Sequence, residues 1–168
     1  MLYKSLNYFW RVIALLTLIL GASCVPSSSV VVKIESLVSP VQVNETVTVP
    51  VKVDNIAGLI AMEIHISFDP NVLEVVSLTD TNFVVADFTV QNTFDNTAGT
   101  IDYAVAQMNR PAAEGSGTLF EIVFRAKSSG DSAISFRGTE AAPEGIILSD
   151  ANGKPLQVTL TNGMLNVK

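Results

Sequence analysis

The chain of 168 residues is poor in the side chains that carry out chemistry: it has one cysteine, Cys24, one histidine, His65, and one tryptophan, Trp10. A Ser-His-Asp triad could be assembled only around His65. Neither CxxC nor HExxH occurs, so the converging ligands of a zinc site have no signature here. The glycine patterns of nucleotide-binding loops are also missing. Charge is sparse and one-sided, with 16 acidic residues against 10 basic ones. The acidic residues are scattered through separate strands and turns, which reads as solvated surface and not as the facing carboxylate pair of a glycosidase. Residues 150–153, Asp-Ala-Asn-Gly, resemble the start of a calcium loop. They lack the third Asp or Asn before the glycine and the later bidentate Glu, so a turn is predicted. An enzyme is the class least served by this composition, and no cofactor is implied.

The longest apolar run, residues 12–20, is too short to span a bilayer. Placed after Lys4 and Arg11, it has the layout of an export signal. Residues 20–24, Leu-Gly-Ala-Ser-Cys, resemble a bacterial lipobox, whose cysteine is lipidated and becomes the new N-terminus. Gly21 departs from the usual Leu three places before that cysteine. The alternative is an ordinary signal cut nearby, which would leave an exported chain with an unpaired thiol. Lipidation accounts better for a lone cysteine in an exported chain. The expected organisation is a signal over residues 1–23, a short spacer over 24–29 and one domain over 30–168. Residues 24–168 hold eight basic and 16 acidic residues, a net charge of −8. That charge opposes binding to nucleic-acid phosphates.

The domain is organised around residues 58–78, GLIAMEIHISFDPNVLEVVSL. Ile60, Met62, Ile64, Ile66 and Phe68 alternate with Ala61, Glu63, His65 and Ser67, the period of a half-buried strand. Asp69-Pro70-Asn71 stops it, because Pro70 has no N–H to give and Asp and Asn bond back to their own backbone. His65 falls on the polar side and reads there as an exposed residue.

The remaining strand signals are punctuated by turn residues, and no convincing amphipathic helix is found. Residues 46–54 place Val47, Val49, Val51 and Val53 on one face, each worth roughly 1.5 to 3 kcal/mol when buried. A slip of one residue would expose all four, so the pattern fixes the register. Further strands are predicted at 30–36, 84–93, 100–107, 118–126 and 133–136, with apolar pieces in the tail. Residues 109–117, NRPAAEGSG, read as a loop. Some nine short strands predict an all-β sandwich.

Together, TVTVPVKVDNIAG at 46–58, the spine stretch, GTLFEIVFRAKSSGDSAISF at 117–136 and the terminal NGMLNVK resemble a cohesin domain, in the right order over nearly all of the mature chain. The resemblance implies a nine-stranded jelly-roll β-sandwich, related in fold to cellulose-binding modules. It also implies binding to dockerin modules of polysaccharide-degrading enzymes, often on a cell-surface scaffold, with calcium entering only through the dockerin. In cohesins the dockerin docks on a sheet face that includes the outward side of the spine strand, and Glu63 falls where an acidic or amide side chain hydrogen-bonds it. Ala61 falls where several cohesins have a polar contact, so one hydrogen bond of the family pattern is missing. Glu63, Ala61 and His65 are therefore the candidate partner contacts, with Cys24 as the candidate lipidation site.

For residues 100–107 two orientations stay open. Alternation places Ile101, Tyr103 and Val105 in the core, whereas family registration could turn them outward as an apolar docking patch. Two other functions also remain: a carbohydrate-binding module on the same fold, or a structural envelope protein. Sugar platforms need exposed aromatic rings, and beyond the signal the chain has no Trp and only one Tyr, Tyr103.

Overall fold

The structure is a computed structural model that describes residues 29–168. The expected signal and Cys24 lie outside the described residues. Among the described residues there is no helix. The strands are β1 (Val31–Ile34), β2 (Thr46–Leu59), β3 (Ala61–Ser67), β4 (Leu73–Asp80), β5 (Phe88–Asp95), β6 (Thr100–Ala106), β7 (Ala113–Ala126), β8 (Gly130–Phe136), β9 (Ile146–Ser149), β10 (Thr159–Thr161) and β11 (Gly163–Val167). One sheet runs β10-β1-β2-β7-β4 and the other β11-β8-β3-β6-β5, with β9 also beside β3. The all-β sandwich expected from the alternation is therefore present.

Its core is the sum of the alternating faces. Val49, Val51 and Val53 of β2 and Phe120, Ile122 and Phe124 of β7 are completely buried, against Ile64 and Ile66 of β3 and Ile101 of β6 from the other sheet. Tyr103 stacks on Phe120 with ring centroids 4.3 Å apart and 14° between planes. Tyr103 and Val105 are buried along with Ile101, so alternation gave the correct orientation of β6 and these residues form no outward patch.

The spine ends as its sequence predicts. The Asp69 carboxylate accepts hydrogen bonds from Asn71 N at 2.8 Å and Asn71 Nδ2 at 3.0 Å. The β5–β6 turn tucks beneath this corner: Gly99 has φ +69°, and a Cβ there would lie 2.3 Å from the Phe68 carbonyl oxygen. Only glycine combines that backbone with that approach.

Three boundaries differ from expectation. The stretch 109–117 is not all loop, because β7 begins at Ala113 and pairs with the end of β2 across two register shifts. Gly115 at φ +90° and Asn55 at φ +61° absorb the bend, so the breaker residues curve a strand without ending it. The strand predicted from Val84 starts at Phe88, and Val84 is a fully buried loop residue. Finally, eleven strands appear among the described residues where nine were expected. The chain leaves β3 after β8 pairs at Ile66 and Ser67, then returns as the four-residue β9 against Ala61 to Ile64, while the three-residue β10 pairs parallel with β1.

Candidate functional site

The two outer faces of the sandwich differ in chemistry. On the β1-β2-β7-β4 sheet, Lys33 pairs with Asp54 at 3.0 Å, Lys52 with Glu35 at 2.9 Å, and Arg125 with Glu74. These are solvated ion pairs of the kind that contribute little to stability or recognition. The face of the β3-β6-β5 sheet has an apolar half and a polar half.

The apolar half follows from cross-strand register. Residues directly opposite in an antiparallel pair share a face, so Ala61 lies beside Ala106, and Glu63 beside both Ala104 and Ile147. Three alanines leave the sheet without side-chain cover. The result is a shallow depression of about 170 Å³ lined by Ala61, Ala104, Ala106, Ile147, Val90 and Glu63, among others. Val90 is the extra residue at the shift between Thr89 and Gln91, and this bulge puts it over the alanines at 74% exposure. Phe88 and Met108 are the neighbouring apolar residues, each about half exposed.

The ends of β5 and β6 are braced. Arg110 donates to Asp87 through Nε at 3.0 Å and Nη2 at 3.1 Å, and Met108 N donates to the same carboxylate at 2.9 Å. The Arg110 bond, then the Met108 amide, hold the Asp87 carboxyl below the usual carboxylate range. Behind them the buried Gln107 accepts from Val85 N and donates to the Pro111 carbonyl. The apolar rim is therefore carried on loops tied to each other, as pre-organised contact surfaces require.

The polar half is a row of four side chains. His65 lies opposite Asp102 across the β3–β6 ladder, with Nδ1 2.5 Å from Asp102 Oδ1 and Nε2 2.8 Å from Glu63 Oε1. Arg137, from just beyond β8, donates through Nη2 to the same Asp102 oxygen at 2.5 Å. His65 is thus not the exposed histidine that the alternation suggested. It is on the outward side, but the neighbouring side chains cover it and leave the residue 5% exposed. A neutral imidazole donates from one nitrogen only, so satisfying both carboxylates takes the doubly protonated ring.

Of the expected contacts, Glu63 and Ala61 line the depression and His65 lies within the row beside it, covered by its neighbours. Sequence reasoning missed Val90, Phe88, Asp102 and Arg137. Val90 depends on a bulge that breaks the alternation of β5, and Arg137 reaches the row only through the register of β8 on β3. The turn at 150–153 is a turn, as expected: Asp150 Oδ1 accepts from Asn152 N and Lys154 N, and these amides lower its pKa. Among the described residues no group of three His, Cys, Asp or Glu side chains is arranged to hold a metal ion.

Comparison with known proteins places this geometry. The family of cohesin domains matches residues 30–167. Among curated protein sequences nothing matches. Among solved structures, a non-cellulosomal cohesin from the archaeon Archaeoglobus fulgidus superposes with a TM-score of 0.68 at 20% identity, over 84% of this chain and 92% of that one. A type II cohesin domain from the cellulosome of Acetivibrio cellulolyticus gives 0.71 at 21% identity, over 82% and 95%. A chain from a type I cohesin–dockerin complex of Clostridium thermocellum gives 0.69 at 17% identity, over 83% and 99%. At these identities the structural likeness speaks to fold.

Proposed function

Because the chain belongs to the cohesin family, whose members are non-catalytic binding modules, we propose that it recruits a dockerin-bearing protein on the outer face of the β3-β6-β5 sheet. The observation that carries this reading is the alanine-floored depression beside the Glu63–His65–Asp102–Arg137 row, on a face otherwise free to be covered. An open sheet with a small apolar centre and a polar flank suits an interface of standard size, on the order of 1,600 Å² in total, with a few central anchors. Ala61 and Val90 would meet the apolar part of the partner, and Glu63 its hydrogen-bond donor. His65, covered by its neighbours, would act through Glu63.

In this reading the partner is an exported protein such as a polysaccharide-degrading enzyme. Lipidation at Cys24, with residues 24–29 as spacer, holds the module at the cell envelope. Without lipidation the domain would be secreted. Any calcium belongs to the partner. Direct binding of polysaccharide has no comparable support: Tyr103 is buried against Phe120, and among the described residues no row of aromatic rings lines this face. A nucleic-acid partner is disfavoured by the acidic balance of the chain.

The test is capture. Immobilised residues 24–168 are exposed to the source organism's secreted proteins, with calcium or with chelator. Calcium-dependent retention of a dockerin-bearing protein is the expected result. Retention on insoluble polysaccharide with no dockerin capture would overturn the reading.

A further inference from the structure

His65 is a nearly enclosed side chain on the outward face, and docking by itself does not explain it. At 5% exposure it offers a partner almost no surface, so any effect it has must pass through its neighbours. The groups facing its ring come from three places. Glu63 comes from β3 itself, Asp102 from β6, and Arg137, bound to the same Asp102 oxygen, from the stretch after β8. The turn before β9 supplies the Gly145 carbonyl to the His65 backbone N–H at 2.8 Å. Glu144 in that turn is exposed and makes no bond to the ring. Opposite Asp102, β5 places the neutral Thr93, and the Asp95 carboxylate two residues on is taken up by the Thr97 and Ala98 amides.

These positions set a charge balance. Glu63 and Asp102 bring two negative charges and Arg137 one positive. The row therefore carries −1 with a neutral ring and zero when both ring nitrogens are protonated. Without the imidazole, Glu63 would stand at the edge of the depression as an unpaired carboxylate, a good partner for Lys or Arg. With it, Glu63 Oε1 is engaged, and the remaining acceptor capacity is fixed in direction and largely stripped of net charge.

We propose that His65 is a specificity-determining positioning residue: by holding Glu63 it selects a partner that presents a neutral hydroxyl or amide donor over the depression and disfavours one that presents a cation. The inference rests on the docking reading above. It also follows that discrimination is strongest when the ring is doubly protonated, because a cation then meets a neutral row.

The probes are two versions of one dockerin module captured by the domain, differing only at the residue seated over Glu63: Ser in one and Lys in the other. Both are titrated against the unaltered domain, His65→Gln and His65→Leu, from about pH 5.5 to about pH 8. The unaltered domain is expected to prefer the Ser version, by about tenfold or more at the acid end and less at the alkaline end. His65→Leu is expected to erase or invert that preference and its pH dependence, with His65→Gln intermediate. A preference that is equal in all three proteins, or flat with pH in the unaltered domain, overturns the inference while leaving docking intact. Failure of both dockerin versions to bind counts against the docking reading instead. In that case NMR of the free domain decides the matter. A Glu63 carboxylate resonance that moves in His65→Gln is expected. A Glu63 resonance indifferent to His65 overturns the inference.

Discussion

Tyr103 of β6 lies flat on Phe120 of β7, their ring centroids 4.3 Å apart, one of the core contacts that join the sheet bearing the candidate docking face to the sheet behind it. Burial first, then the nearby Asp80 carboxylate, push the Tyr103 phenol up to about 12. The folded state therefore keeps a proton that the unfolded chain gives up from about pH 10. Stability from this group is complete below about pH 10 and declines as pH rises toward about 12. Denaturant titrations across that window should show the decline in the unaltered domain, and Tyr103→Phe should flatten it. An equal slope in both proteins would assign the loss to other groups.

Glu63→Ala should weaken capture of the dockerin partner by about 1.5 to 3 kcal/mol, the range for a hydrogen bond to a charged group. The melting temperature should fall as well, since the change also removes the bond between the buried His65 Nε2 and Glu63 Oε1. Calorimetric titration checks the first statement and a thermal melt the second. Unchanged affinity would remove Glu63 from the site.

Val90→Asp tests the apolar half independently. Val90 is 74% exposed, so the substitution should leave stability within about 0.5 kcal/mol. Placing a charge over the three alanines should nonetheless reduce dockerin binding by about tenfold or more. Binding unaffected by this change would place the interface elsewhere.

Gly99→Ala should cost about 1 to 3 kcal/mol. The added Cβ meets the Phe68 carbonyl at 2.3 Å and Pro70 Cδ at 2.7 Å, and φ is +69°. By contrast Gly153→Ala, at φ +74° with nothing within 4 Å, carries only the conformational part of that cost. Comparing the two variants in urea separates the clash from the backbone strain.

Cys24→Ala should move the protein from the membrane fraction to the soluble one while leaving dockerin capture by the soluble domain unchanged. Fractionation followed by immunoblotting reads this directly. Unchanged partitioning would exclude the lipid anchor.

The parts of the fold legible in the sequence were those where one short period decides the outcome. Met62, Ile64 and Ile66, or Phe120, Ile122 and Phe124, have a single low-energy arrangement, because a shift by one residue would bury Glu63 or Arg125. The Asp69-Pro70-Asn71 corner was equally legible, since its residues make their own turn. Local patterns fail where distant segments decide. Nothing near His65 in sequence says that Asp102 and Arg137 will enclose it, so its alternation suggests exposure and the cross-strand register delivers burial. Val84 has the hydrophobicity of a strand residue and uses it to fill the core from a loop. The breaker-rich stretch up to Gly117 has the composition of a loop, because glycine and proline usually end strands. Here the end of β2 runs alongside and keeps the backbone paired through the bend.

The place where the chain enters the fold bears on how the module would carry load. β1 sits between β10 and β2, with three residue pairs on one flank and four on the other, in the sheet away from the candidate docking face. A pull along β1 from its N-terminal side strains those backbone ladders side by side, so they must yield together instead of opening one after another. Tension between a tether at that end and a bound partner would thus enter the domain in shear, through the rear sheet.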